Sequence, residues 1–493
     1  MNLHTAFART ADRCGDKPAL FWGDQEYSFA QVRRQARAVA ARLRGEFGLQ
    51  PGDRVAIWLK NCPQFPAVLF GAWEAGAVVV MVNTFFKPDE VGHLLDDSGA
   101  QVMISEAAFA GAHEKLAATR PGLRFLQLEQ LALAEAPAAT GAPANRTEAD
   151  LAALLYTSGT TGRPKGAMLT HGNFLHNVAS CVRCLEVTDD DRIVVLLPQF
   201  HSFMFTVGTL LPLLAGAGIV LVRSVHPLKG VLEEIIRRRA TVLPAVPPIY
   251  RALSEAPVPP GWPLRLCVSG GAPLPLEVFH AFTAKFPTPL IEGYGPTESS
   301  PVASVNPIHG LNKPGSVGKP IPNVEMSIRD DTGAELPAGA TGEICIRGGN
   351  VMRGYWNQPE ETAKVLRAGW LYTGDVGHRD ADGYFYITDR KKDMLLVNGI
   401  NVYPREVEEV IYKFPGVREA AVVGVKDPRK GEAPVAFVAL AEGAVLDEKE
   451  LLGFIRERLA DYKVPRHVRV LPLLPRNATG KILKTELRRL AEA

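Results

Sequence analysis

The 493-residue sequence predicts an α/β protein: a large N-terminal domain of mainly parallel sheets covered by helices, followed by a small mobile α+β domain. Three observations lead there. Strand-like apolar runs alternate with amphipathic helical patterns, as in sheets whose strands are joined by helical crossovers. One such run, Leu266-Cys-Val-Ser269, enters Gly270-Gly271 just before a helical pattern, where open α/β sheets place ligands. The charge-dense segment Thr388-Asp-Arg-Lys-Lys-Asp393 then divides the chain into 1–389 and 390–493, the second piece long enough to fold on its own core.

Taken in order, Ser28 caps a helix whose apolar positions Val32, Ala36, Val39, Ala40, Leu43 and Phe47 recur at helical spacing, and Gly48 closes it. Strand-like Val55–Leu59, helical Gln64–Glu74 and strand-like Val78–Val82 form one βαβ unit. An Ala/Pro/Gly-rich stretch from Ala134 to Ala149 is a connector. A helix continues from Asn173 through Cys181-Val-Arg-Cys184, and Val231–Arg239 is a helix leading to Val242-Leu243. Another helix starts at Leu276. Strand-like Tyr384–Ile387 and Met394–Val397 flank the charged segment. Beyond it follow a Pro-initiated helix, Pro404–Phe414, strands at Ala421–Val423 and Val435–Leu440, a helix near Leu451–Leu459, and the loop Arg476-Asn-Ala-Thr-Gly-Lys481.

Lys+Arg 55 against Asp+Glu 53 leaves a net charge of +2, which gives no electrostatic case for a nucleic-acid partner. Six scattered cysteines fit a reduced, cytoplasmic protein, and the lone CxxC at 181–184 reads as helix packing. Charges at Arg9, Asp12, Arg13, Asp16 and Lys17 interrupt any secretory signal. Phe203–Val222 runs twenty residues without a charge, enough to cross a bilayer. Its Gly208, Pro212, Gly216 and Gly218 instead fit a buried helix, a turn and a strand, leaving peripheral membrane contact and self-association open.

Tyr156-Thr-Ser-Gly-Thr-Thr-Gly-Arg-Pro-Lys-Gly166 is the most informative segment. After a strand, three glycines, four hydroxyls and a lysine offer N–H groups, donors and a cation to a polyphosphate. The pattern is not a Walker loop, because Pro164 precedes Lys165 and Gly166 follows it. In Gly293-Tyr-Gly-Pro-Thr-Glu298, Tyr294 can present a ring to a base, Thr297 a hydrogen bond to phosphate and Glu298 an oxygen to Mg²⁺. In Gly369-Trp-Leu-Tyr-Thr-Gly-Asp375 the acid can accept two hydrogen bonds from a ribose diol. Each segment alone is also an ordinary turn composition.

Together, in this order and with the terminal Thr479-Gly-Lys481, these motifs resemble the adenylate-forming superfamily of acyl-CoA synthetases, peptide-synthetase adenylation domains and firefly luciferase. The resemblance covers essentially the whole chain and implies ATP, Mg²⁺ and coenzyme A as cofactors and a carboxylic acid as substrate. It implies a phosphate loop containing Thr157, Ser158, Gly159, Thr160, Thr161, Gly162 and Lys165, with Thr157 and Glu298 at the metal. Gly270, Gly271, Ala272, Tyr294 and Gly295 fall at the adenine site, Thr297 at the α-phosphate, and Asp375 and Arg390 at the ribose. Lys392 falls at the hinge, Gly399 and Asn401 on the CoA side, and Lys481, with His201, among the groups acting on the carboxylate.

His201 stands where amino-acid-activating relatives carry an aspartate, so a substrate ammonium would lack a partner. Gly293 stands where malonate-activating relatives carry arginine, and no Leu-Gly-Gly-x-Ser carrier motif is present. The remaining candidates for an acyl pocket are apolar: Phe200, Phe203, Met204, Phe205, Val207, Pro301 and Val302. With the segments 293–307 and 389–404 they are most similar to bacterial medium- and long-chain fatty acyl-CoA synthetases, in some of which an aromatic near the position of Phe205 gates the acyl tunnel. An aryl or cinnamic acid ligase is the alternative. An adenylate binder without CoA turnover, or an enzyme loading a carrier protein, is the alternative of another class.

Overall fold

The computed structural model describes residues 1–131, 142–157, 164–427, 431–477 and 480–492. Ser158, Gly159, Thr160, Thr161 and Gly162 of the phosphate loop, Thr479, and residues 134–141 of the connector lie outside the described residues.

Two sheets carry the large body. The nine-stranded one runs Lys319–Pro320, Ser304–Val305, Leu290–Tyr294, Leu266–Ser269, Val242–Ala245, Arg192–Val195, Gly218–Leu221, Pro18–Trp22, Gln25–Ser28. Its interior pairings are parallel, with antiparallel pairs confined to the two edges. The six-stranded one is parallel through Arg124–Gln127, Val102–Ser105, Arg54–Trp58, Val78–Met81 and Leu151–Thr157, and ends in antiparallel Lys165–Thr170. Interior strands such as Val78-Val-Val-Met81 are buried throughout, as expected where helices cover both faces.

Local chemistry sets the elements. Ser28 closes a capping box with Gln31 and starts the helix Phe29–Gly45. Phe65–Ala75 is apolar but for Glu74 and buried throughout, and joins Arg54–Trp58 to Val78–Met81 as a parallel crossover. The uncharged stretch from Phe203 is a π-helical segment Met204–Leu210, a short helix Leu211–Ala215 and the strand Gly218–Leu221. Among the described residues no helix is long and apolar enough to cross a membrane.

A third sheet differs from the parallel expectation. Val324–Arg329, Gly342–Gly348, Leu366–Arg367, Trp370–Arg379 and Phe385–Arg390 pair only antiparallel. The turn around Asp380–Gly383 is too short for a crossover helix, so the strands it joins must be hairpin partners. Within this sheet Thr388-Asp-Arg390 completes a strand rather than a solvated linker, opposite Asp375 and Val376.

Beyond residue 394 a separate core forms from Leu395, Val407, Ile411, Val422, Val438, Leu451 and Ile455. Its sheet orders Ile400–Val402, Leu395–Val397, Gly431–Leu440 and Val417–Asp427, with Val468–Val470 parallel to Gly431–Leu440. The hairpin 417–440 is longer than its apolar centre alone predicts, since register pairing carries on through charged Lys426 and Glu432.

Candidate active site

Parallel strands Val242–Ala245, Leu266–Ser269 and Leu290–Tyr294 end at a cavity of about 650 Å³ facing the small body. Its walls include Gly271, Ala272, Tyr294, Gly295 and Asp375 on one side and Lys392, Asp393, Arg405, Lys481 and Lys484 on the other. This is the carboxyl-edge crevice where open α/β sheets hold ligands.

Asp375, 3% exposed, accepts a hydrogen bond from the Tyr294 hydroxyl at 2.6 Å and lies 3.0 Å from Arg390 Nε. Strand pairing of Asp375 with Arg390 brings the acid and base together, and burial with the Asp375 charge drives the Tyr294 phenol well above its ordinary value. Gly295 has no room for a side chain: a Cβ would fall 1.6 Å from the Pro301 carbonyl oxygen. Gly270 lies against the Phe203 ring, to which an added Cβ would come within 3.2 Å.

Thr297 Oγ1 is 3.0 Å from Ser202 Oγ, pairing two hydroxyls from distant segments. Glu298 Oε1 accepts from the Tyr355 hydroxyl at 2.8 Å and from Thr157 Oγ1 at 3.5 Å. Lys165 is 7% exposed, with its ammonium paired to Glu361 and 5.3 Å from the Tyr355 ring centre. Among the described residues no cluster of three or more His, Cys, Asp or Glu is placed to bind a metal unaided. One carboxylate and one hydroxyl, Glu298 and Thr157, fit instead an Mg²⁺ held mainly by substrate phosphates and water.

Lys481 extends from the small body into the same cavity. Burial, then the nearby Arg390 charge, bring its ammonium down to about 8, while Asp375 and Asp393 oppose the shift. Burial and the charge of Lys481 bring His201 down to about 4, so this imidazole is neutral at pH 7. Lys392 also lines the cavity. Its neighbour Lys391 pairs with Asp331 at 2.6 Å on the large body, and Asp393 pairs with Arg488 on the small one. Two further bonds cross between the bodies: Arg405 N donates to Asp389 at 2.9 Å, and Arg405 Nη1 donates to the Ile387 carbonyl at 2.8 Å.

Gly399 and Asn401 stand apart from this cavity, on the exposed hairpin Leu395–Val402, with Gly399 at φ +76° and open space around it. Leu396 and Ile400 of that hairpin are 49% and 46% exposed.

Tyr294, Gly271 and Gly295 also line a second, smaller cavity of about 50 Å³. His201, Ser202, Phe203, Val207, Pro301 and Val302 line it, and Cys184, Leu185, Val268 and Val305 also contribute to its wall. Phe200, Met204 and Phe205 do not line it. Phe205 is fully buried, 5.2 Å from Phe174 and 6.1 Å from Trp73 between ring centres, because the π-helical turn directs it into the core. Sequence reasoning missed Ser202, Tyr355, Glu361 and the far wall. Only proximity in space reveals them, although Gly354-Tyr355 and Pro359-Glu-Glu361 carry turn and helix-start signals.

A crevice of about 650 Å³ at the carboxyl ends of parallel strands, faced by Lys481 from a second body, is an arrangement suited to an adenylate-forming enzyme. Residues 7–356 match the AMP-binding enzyme family and 406–481 its C-terminal domain, so the chain belongs to this family, in its acyl-CoA synthetase branch. A feruloyl-CoA synthase of Amycolatopsis sp is 40% identical over 483 residues, 96% of this chain and 95% of the relative. A long-chain-fatty-acid–CoA ligase of Bacillus subtilis (strain 168) is 37% identical over 532 residues, 98% and 94%. ATP-bound MatB from Rhodopseudomonas palustris superposes with a TM-score of 0.92 at 33% identity, covering 100% of this chain and 99% of that one. The apo form of the same protein, with equal coverage at 34% identity, superposes at 0.79.

Proposed function

We propose that the protein is an AMP-forming acid:CoA ligase, and that the observation carrying this is the convergence of Lys481 with Asp375, Arg390 and Tyr294 around one crevice. A carboxylate oxygen of the acid bonds to the α-phosphorus of ATP, and the bond to the β-phosphate bridge breaks with pyrophosphate leaving. Lys481 neutralises charge on the carboxylate and α-phosphate, which otherwise repel. Asp375 holds the ribose diol, the Tyr294 ring faces the base, and Thr297 with Ser202 donates to phosphate oxygen. Glu298 and Thr157 would hold an Mg²⁺, which when bound would add charge neutralisation to the polyphosphate. The coenzyme A thiol then loses its proton to solvent and bonds to the acyl carbon as that carbon's bond to the phosphate oxygen breaks and AMP departs.

The thiol step uses a second pose of the small body. Lys391 fastened to one body and Asp393 to the other bracket Lys392 as the pivot, and turning there brings Gly399 and Asn401 to the crevice while Lys481 withdraws. The greater similarity to ATP-bound MatB than to its apo form supports reading the present pose as the adenylating one.

The acid lies in the smaller cavity lined by Tyr294, and its largely apolar wall favours a monocarboxylic acid. At about 50 Å³ it is smaller than the ~150 Å³ that encloses benzene, so a compact acid of the aryl or cinnamic class needs less displacement of Leu185 and Val305 than a long chain. Identity with long-chain-fatty-acid–CoA ligases supports the second reading, a medium- or long-chain fatty acid. The test is CoA-dependent AMP formation across benzoate, cinnamate, ferulate, hexanoate, octanoate and palmitate. The compact acids are expected to give the highest kcat/KM; a steady rise to palmitate would establish the fatty-acid reading instead.

The lowered ammonium of Lys481 adds a pH dependence. The cation exists below about 8 and is lost as pH rises through that value, so kcat/KM for pyrophosphate exchange is expected to fall on the alkaline side with an apparent pKa near 8. Lys481→Arg, if it exchanges at all, should lack this limb. A flat profile to pH 10 in the unsubstituted protein removes the cation from the rate-determining step.

A further inference from the structure

The phosphate-loop lysine already has an anion. Lys165 keeps 9% of its side-chain surface, too little for water to hold the charge, and Glu361 Oε2 pairs with it from the short helix Pro359–Val365. The other oxygen of the same carboxylate pairs with Lys364, whose side chain is 67% exposed. The two lysines together hold the Glu361 carboxyl down at about 2, so it is anionic throughout the working range. Thr157 and Lys165 are cross-strand partners at the two stems of the phosphate loop, so this ion pair stands at the loop's base, one ring away from Glu298 through Tyr355.

We propose that Glu361 is the exchange counter-ion of Lys165: it holds the ammonium before polyphosphate arrives, yields it to the β- and γ-phosphates, and takes it back as pyrophosphate leaves. This rests on the reading of Lys165 as a polyphosphate contact. A carboxylate and a polyphosphate cannot sit side by side on one ammonium without like-charge repulsion, so one must retreat. Lys364 gives Glu361 a place to retreat to, because it already holds the opposite oxygen out toward solvent. Glu361 is thus a positioning residue that weakens the grip on the departing product. Removing its charge leaves a nearly buried cation that, among the described residues, keeps the Tyr355 ring beside it, a cost relieved by a bound polyphosphate.

Calorimetric titration of the full-length protein with ATP, pyrophosphate and AMP, each with Mg²⁺ and no acid or CoA, tests this. Glu361→Gln is expected to bind ATP and pyrophosphate about five-fold more tightly, leaving AMP, which does not reach Lys165, within about two-fold. Glu361→Asp keeps the charge and should bind all three as the unsubstituted protein does. A merely structural Glu361 would have the opposite signature, with all three ligands weakened in Glu361→Gln. That result, or unchanged affinity for pyrophosphate, overturns the exchange. If the unsubstituted protein binds AMP but no pyrophosphate, the polyphosphate reading of Lys165 falls, and the exchange with it.

Discussion

Lys481→Ala is expected to lower acid-dependent pyrophosphate exchange by roughly 10²- to 10³-fold, the usual loss when one preorganised charge stabiliser is removed from a transition state. The same variant should still convert a supplied acyl-adenylate to acyl-CoA, because the proposed thiol step is run after Lys481 has withdrawn. Gly399→Leu should show the reverse, keeping exchange and losing thioester formation. Its hairpin has open space here, so the variant folds at the modest cost of a side chain at φ +76°, about 1–2 kcal/mol. Rapid-quench measurement of the two half-reactions separates these outcomes. Parallel loss of both half-reactions in both folded variants would mean that the small body serves both steps in one pose.

Asp375→Ala is the second large effect. In the proposed complex the carboxylate accepts from both ribose hydroxyls, and charged hydrogen bonds of this kind contribute about 1.5–3 kcal/mol each. Substitution also leaves Arg390 and the Tyr294 hydroxyl without their acid. AMP affinity is expected to fall by about 10²-fold or more, with both half-reactions slowed. Asp375→Asn, which keeps shape without charge, should lie between. Calorimetry with AMP and with 2′,3′-dideoxy-AMP checks the cause: the alanine variant should no longer distinguish the two. A variant that still prefers the diol would place the ribose elsewhere.

What could be read from the sequence followed local rules. Ser28 announced its helix through a capping box, Phe65–Ala75 and its flanking strands were legible as a crossover, and Leu266–Ser269 ended where expected. Groups that lie within one motif, such as Tyr294 with Thr297 and Glu298, could be proposed as a set from the sequence alone. The antiparallel third sheet was not, because alternation of strands and helices suggested parallel order and only short hairpin turns argued otherwise. Nor could apolar character separate Phe203, which lines the smaller cavity, from Phe205, two residues on, which packs into the core. That choice depends on the π-helical turn between Met204 and Leu210, which has no compositional signature. Ser202, Tyr355 and Glu361 become visible only once distant segments meet.

The arrangement around Lys392 also governs where resistance to turning resides. The ion pairs of Lys391 and Asp393 each travel with their own body, so the proposed swivel between them would break neither. The fastening that spans the joint includes Arg405, through its amide to Asp389 and its guanidinium to the Ile387 carbonyl. In the proposed two-pose cycle Arg405 would act as a clasp, and weakening it is expected to favour the thiol step at the expense of the first.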